Sequence, residues 1–122
     1  IDSAGLCVFF SIRNLVTPTR DIRPQGIMEL LNAATGADYD LAELVQAGER
    51  IFNAERLFMI RAGFSGKDDS LPPRMLKEAL PDGPGQGSVC RLSEMIEVYY
   101  RLRGWDRNGV PTVEKLKELG LG

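Results

Sequence analysis

Apolar residues recur along most of this chain at helical spacing. In RPQGIMELLNAATG, Ile27, Leu30, Leu31 and Ala34 follow the i, i+3, i+4, i+7 rhythm of one helix face, and Gly36 offers a stop. The strongest pattern is DLAELVQAGERIFNAERLFMIRAG. Asp40 can cap the amide of Glu43 while Glu43 reaches back, and Leu41, Leu44, Val45, Ile51, Phe52, Leu57, Phe58 and Ile60 supply a wide apolar face. Gly63 closes it, so the spacing predicts one helix of about 22 residues, roughly 33 Å long. Nearer the start, LCVFFSIRNL is continuously apolar, a pattern that suits a buried strand or a buried helix. We read it as a helix over residues 6–16, broken by Thr17-Pro18.

Residues 64–90 change character. Gly and Pro cluster, above all in PDGPGQG, which predicts a long loop with one helical turn over 74–79. Helix returns in LSEMIEVYYRLRG, where Met95, Ile96, Tyr99, Tyr100 and Leu102 are expected to pack and Gly104 to cap. WDRNGVPT reads as a turn anchored by Trp105, whose indole buries a large area once its N–H finds a carbonyl. In TVEKLKELGLG, Thr112 is the N-cap, Val113, Leu116 and Leu119 the stripe, and Gly120 the stop. No hairpin signal occurs. The expected architecture is all-α: four main helices and a long Gly/Pro-rich loop in a single helical domain over 1–122.

Composition narrows the function classes. An apolar share of 43% suits a globular chain, and a net charge of −2 provides no broad basic field for nucleic acid. No apolar run reaches the ~18 residues of a membrane span, and GLCVFF, without a basic n-region or a small-residue cleavage site, does not read as a secretory signal. Histidine is absent. A self-contained Ser-His-Asp or Cys-His mechanism is thereby excluded, as is a His-based zinc site. Cys7 and Cys90 are the two cysteines, with no CxxC, which points to a reduced, cytoplasmic setting.

Three clusters carry candidate chemistry. Cys7, behind Asp2 and Gly5, is either a packed core thiol or a thiolate metal ligand; one Cys cannot hold an iron–sulfur cluster, which takes about four. In KDDSLPPR, Asp68 and Asp69 suggest a hard cation only weakly. Asp69 can equally cap the next helix or pair with Arg74, and Pro72 or Pro73 suits a first helical turn. Gly83, Gly85 and Gly87 lack the strand and the Lys-Ser/Thr of a phosphate loop.

Taken in order, several segments resemble one family: Asp2-Ser3-Ala4-Gly5-Leu6-Cys7, Gly48-Glu49-Arg50-Ile51, Arg56-Leu57-Phe58, Arg61-Ala62-Gly63, Asp68-Asp69-Ser70-Leu71-Pro72 with Arg74, Tyr99-Tyr100, Arg103-Gly104-Trp105-Asp106, Gly109-Val110-Pro111-Thr112 and Leu119-Gly120-Leu121. Together they look like the C-terminal region of the aldehyde ferredoxin oxidoreductase family. The resemblance implies an all-α C-terminal portion of an enzyme that oxidises aldehydes to carboxylic acids and passes electrons to ferredoxin. It implies a tungsten (or molybdenum) bis-pterin beside a [4Fe–4S] cluster, with Cys7 as a cluster ligand, Asp2 as a pterin hydrogen-bond partner and Leu6 as a backbone contact. The family's three-Cys group, pterin-cradling domain and catalytic histidine are not in this chain. A C-terminal fragment, inert alone, is therefore expected. Its partners are the N-terminal domains of the parent chain, ferredoxin and an aldehyde; exposed apolar surface on GLCVFF and one face of the long helix favours self-association of the piece. Loop 67–74 is expected to help wall the substrate channel. The alternative is a helical protein-interaction module with Cys7 as a core residue.

Overall fold

The structure is a computed structural model, and it describes residues 4–7 and 24–122. Among these residues the regular elements are all helices, with no strand: α1 (Pro24–Thr35), α2 (Leu41–Arg61), α3 (Pro73–Lys77), α4 (Leu92–Arg103) and α5 (Val113–Glu118). The all-α expectation holds. The helix expected over 6–16 lies largely outside the described residues, and Leu6 and Cys7 themselves are not helical. The chain divides into two compact units, Ile1–Phe52 and Asn53–Gly122.

In the first unit, α1 half-buries Ile27, Met28 and Leu31, while Leu30, expected on the same face, is exposed. Gly36 stops the helix in a left-handed conformation (φ 74°), its amide donating to the Asn32 carbonyl at 2.8 Å. The Asn32 side chain then clasps the backbone of Tyr39, donating to its carbonyl at 2.8 Å and accepting from its amide at 3.1 Å. That clasp delivers the chain to the start of α2. There Glu43 donates its amide to Asp40 Oδ1 at 2.8 Å, and Asp40 donates its amide to Glu43 Oε2 at 2.9 Å. This reciprocal cap is the one expected from the sequence, and the acid at the helix N-terminus also suits the helix dipole.

In the second unit, α2 ends as predicted at Gly63: Phe64 donates to the Met59 carbonyl and Gly63 to that of Ile60, both at 3.0 Å. Pro73 opens α3 at its first turn. The loop that follows closes on itself, Leu80 donating to Ser88 at 3.0 Å and Gly87 to Leu80 at 2.9 Å. Left-handed Gly104 caps α4, and Thr112 caps α5 by accepting from the Lys115 amide at 3.2 Å. The apolar core is small: Tyr100, Trp105 and Leu119 are buried. Met95 and Leu102 of α4 and Val113 of α5 do not join it; all three are exposed. The periodicity marked them as apolar, and apolarity does not say which of two faces turns inward.

Candidate functional site

Cys7 follows a tight turn at Ala4-Gly5, where Gly5 takes φ 69°. A side chain at such an angle is strained, so glycine suits this bend. Leu6 is half-buried and the Cys7 thiol is exposed and free. The core reading of Cys7 is therefore not what the structure places there. A solvent-facing sulfur is accessible to a soft metal, the chemistry iron–sulfur clusters use. Asp2 lies outside the described residues. Among the described residues, no group of three or more His, Cys, Asp or Glu gathers around a common point. Cys90, the second thiol, is half-buried with its sulfur 3.9 Å from Met95 Sδ.

The second cluster is polar and structural, and it lies wholly within the unit Asn53–Gly122. Arg56 of α2 grips Asp69 with both ends of its guanidinium, Nη1 to Oδ1 at 2.9 Å and Nη2 to Oδ2. Its Nε donates to the Gly109 carbonyl at 2.8 Å. The Tyr100 hydroxyl of α4 donates to the same Asp69 Oδ2. The Arg56 guanidinium also lies 4.8 Å from the Trp105 ring centre, and the Trp105 indole donates to Asn53 Oδ1 at 2.8 Å. One arginine thus pins loop 64–72 and the turn 105–111 to a single helix. A bidentate, charge-assisted grip of this kind fixes geometry as well as energy.

The electrostatics follow from that geometry. Partial burial works against the Asp69 charge, but the hydrogen bonds from Arg56 and Tyr100 and the guanidinium charge outweigh it and hold the carboxyl below its ordinary range. Tyr100 moves the other way. Desolvation first, then its bond to Asp69, push the phenol up to about 12. Asp69 pairs neither with Arg74 nor with the start of α3. Arg74 meets Glu78 at the surface, at 3.6 Å. Asp68 accepts from the Ser65 amide at 2.8 Å and closes its own turn. With one carboxylate held by arginine and the other by its loop, the hard-cation reading of KDDS has no support here.

Two glycines make the cluster possible. A Cβ at Gly66 would stand 2.6 Å from the Asn108 carbonyl oxygen, which accepts from the Gly66 amide at 3.1 Å. At Gly109, with φ 74°, a Cβ would press into Arg56 Nη2 and lie 2.8 Å from the Tyr100 hydroxyl. Asp106 shapes the same turn. Its carboxylate accepts from the amides of Val110 at 3.0 Å and Asn108 at 2.8 Å, which keeps it below its usual range. Sequence reading found Trp105 and its need for a carbonyl but missed Asn53, which supplies it and is 0% exposed. The available signal was an asparagine on the same face of α2 as Leu57 and Ile60. The partner of Arg56 lies 13 residues on in the sequence.

Residues 1–121 match the family model described as aldehyde ferredoxin oxidoreductase, domains 2 & 3. The chain is similar to a tungsten-containing aldehyde ferredoxin oxidoreductase of Pyrococcus abyssi, with 47% identity over 122 residues, covering 99% of this chain and 19% of the relative. The protein of the same name from Pyrococcus furiosus is 46% identical over the same shares. An aliphatic sulfonate oxidoreductase, WOR-like subunit, also from Pyrococcus furiosus, is 33% identical over 130 residues, again covering 99% of this chain and 19% of the relative. The chain thus spans about a fifth of the length of these curated relatives.

Proposed function

The chain belongs to the aldehyde ferredoxin oxidoreductase family, and on that footing we propose that it forms the C-terminal helical part of a tungsten enzyme that oxidises aldehydes to carboxylic acids. The net change is RCHO + H2O to RCOO−, three protons and two electrons, the electrons leaving through a [4Fe–4S] cluster to ferredoxin. When bound, the tungsten pterin supplies two-electron oxidation and the cluster supplies one-electron transfer. In this reading Cys7 is a thiolate ligand to the cluster, Asp2 accepts a pterin N–H, and Leu6 meets the pterin through its backbone. The remaining cluster ligands and the catalytic groups come from other domains of the parent polypeptide, in a cytoplasmic setting where thiols stay reduced. The 122-residue chain alone is inert.

One observation carries the reading: the Cys7 thiol faces solvent directly after a left-handed Gly5, inside a chain that matches the family from residue 1 to 121. A thiol filling a core would be covered. The Arg56–Asp69–Tyr100 cluster serves as scaffold: it holds Asp69 in place, and residues 67–74 around it help wall the substrate channel. The test is direct. The polypeptide encoded by the whole gene, purified with tungstate in the growth medium, should contain tungsten and reduce ferredoxin or a viologen when given an aldehyde. A tungsten-loaded polypeptide that reduces neither with any aldehyde overturns the reaction assigned here.

A further inference from the structure

The turn that follows Trp105 contains a chemically fragile pair. Asn108 precedes Gly109, whereas Asn14, Asn32 and Asn53 precede Leu or Ala. Glycine has no side chain to hinder its amide nitrogen, and its backbone bends freely enough for that nitrogen to reach the asparagine side chain. The Gly109 nitrogen then bonds to the Asn108 Cγ, the Cγ–Nδ2 bond breaks, and ammonia leaves with the amide proton. Water opens the five-membered imide at one of its two carbonyls. The product is aspartate, or isoaspartate when the chain is rejoined through the side chain. The Asn108 side chain is exposed, so water is at hand. Three restraints in the fold oppose the first step. The Gly109 amide is buried and donates to the Asp106 carbonyl at 2.9 Å, which keeps its proton in place. The Asp106 carboxylate accepts from the Asn108 backbone amide at 2.8 Å and also engages the Asn108 side chain. The two carbonyls flanking the reactive nitrogen are held from outside the turn: Gly66 donates to that of Asn108 at 3.1 Å, and Arg56 Nε to that of Gly109 at 2.8 Å. A less reactive residue cannot stand at position 109, because its Cβ would press into Arg56 and Tyr100. Protection therefore rests on conformation.

We propose that Asn108 is a deamidation site held closed by the Arg56–Asp69–Tyr100 cluster, and that its conversion to isoaspartate prevents the cluster from re-forming. Exposure of the Asn108 side chain does not set the rate; opening of the cluster does. When opening and closing are fast beside the chemistry, the rate follows the population of the open form. The product then blocks the return. In isoaspartate the carbonyl that accepts from Gly66 becomes a free carboxylate, and the main chain gains one methylene ahead of Gly109. The Gly109 carbonyl thereby leaves its register with Arg56, whose Nη1 and Nη2 hold Asp69. A reversible local opening becomes a permanent one, which is a chemical route to irreversible loss of fold.

Peptide mass spectrometry tests this without any metal or substrate. The whole-gene polypeptide is aged at neutral pH, folded or unfolded in urea, and the peptide containing Asn108 is read over time for the change from amide to acid and for isoaspartate. Conversion should be at least tenfold slower in the folded protein than in urea. Asp69→Asn should speed it at least threefold under folding conditions. Tyr100→Phe, which keeps the ring and the Arg56–Asp69 pair, should do the same and serves where Asp69→Asn does not fold. Asp40→Ala, at the far end of α2, should stay within twofold of the unaltered protein. Folded and unfolded rates within twofold of each other overturn the proposal, as does a Tyr100→Phe rate equal to that of the unaltered protein. An Asp40→Ala rate as fast as that of Tyr100→Phe also overturns it, because global unfolding would then supply the reactive form. Aged protein that carries isoaspartate at position 108 while its Gly66 and Gly109 amides still resist hydrogen exchange shows that the cluster survives the change, and overturns it too.

Discussion

The two units are built on different economies of contact. In residues 53–122, side chains far apart in sequence find each other: Arg56 reaches Gly109 and Trp105 reaches Asn53, across 53 and 52 positions. Every fully buried residue among those described lies in this unit. The described part of residues 24–52 is held by local devices, such as the Asn32–Tyr39 clasp and the Asp40–Glu43 cap, and none of its residues is fully buried. Cys7 belongs to that more open unit. The lesson is a division of labour. One unit fixes itself through an arginine-centred lock, whereas the described part of the unit that offers the thiol is held by hydrogen bonds between near neighbours in sequence.

Substitutions test that contrast by size. Trp105→Ala should cost the most, about 4 kcal/mol in urea unfolding, because it opens a large cavity and leaves Asn53 buried without its donor. A loss below about 1 kcal/mol would mean that the lock is not the core of its unit. Asp69→Ala should cost about 3 kcal/mol, since it strands the Arg56 guanidinium and the Tyr100 hydroxyl in a partly buried site. Asp69→Asn, which keeps the volume, should recover only part of this.

The same pair predicts the pH limits. Asp69 has a depressed pKa in the folded state, so its stabilisation is complete above the ordinary value of about 4 and is lost as pH falls through the lower folded value. Tyr100 is raised, so its contribution is complete below about 10 and is lost as pH rises towards its folded value of about 12. Unfolding midpoints measured against pH should show both limbs. Asp69→Asn should flatten the acid limb, and Tyr100→Phe the alkaline one; unchanged limbs in the variants would remove both groups from the account.

Smaller effects complete the scale. Asp40→Ala should cost about 1 kcal/mol, the value of one cap, and no more. A loss matching that of Asp69→Ala would erase the distinction between the units. Leu102→Gln should shift the stability of the 122-residue chain by less than about 0.5 kcal/mol, because the side chain has little to lose.

Much of this was legible in the sequence, and the reason is locality. The Asp40–Glu43 cap, the stops at Gly36, Gly63 and Gly104, and the Thr112 cap each depend on residues within a turn of one another. The anchored Trp105 was legible because a buried indole needs an acceptor. The Arg56–Asp69–Tyr100 lock was not, because a surface-type KDDS motif and a helical arginine give no sign of meeting until the chain has folded. The faces of α4 were only half legible. Periodicity showed that Met95, Tyr99 and Leu102 were apolar, and placed them inward with Tyr100. A helix with two apolar faces looks in sequence like one wide face, and the buried side is settled by tertiary contacts. The resemblance of DSAGLC and its companion motifs pointed to the family where periodicity alone could not.

The decisive measurement is the electron paramagnetic resonance spectrum and iron content of the dithionite-reduced whole-gene polypeptide, compared between Cys7→Ser and Cys90→Ser. Cys7→Ser should lose the cluster signal or shift it with a fall in iron, and Cys90→Ser should match the unaltered protein. An intact cluster with unchanged spectrum and iron in Cys7→Ser would show that this thiol is not a cluster ligand.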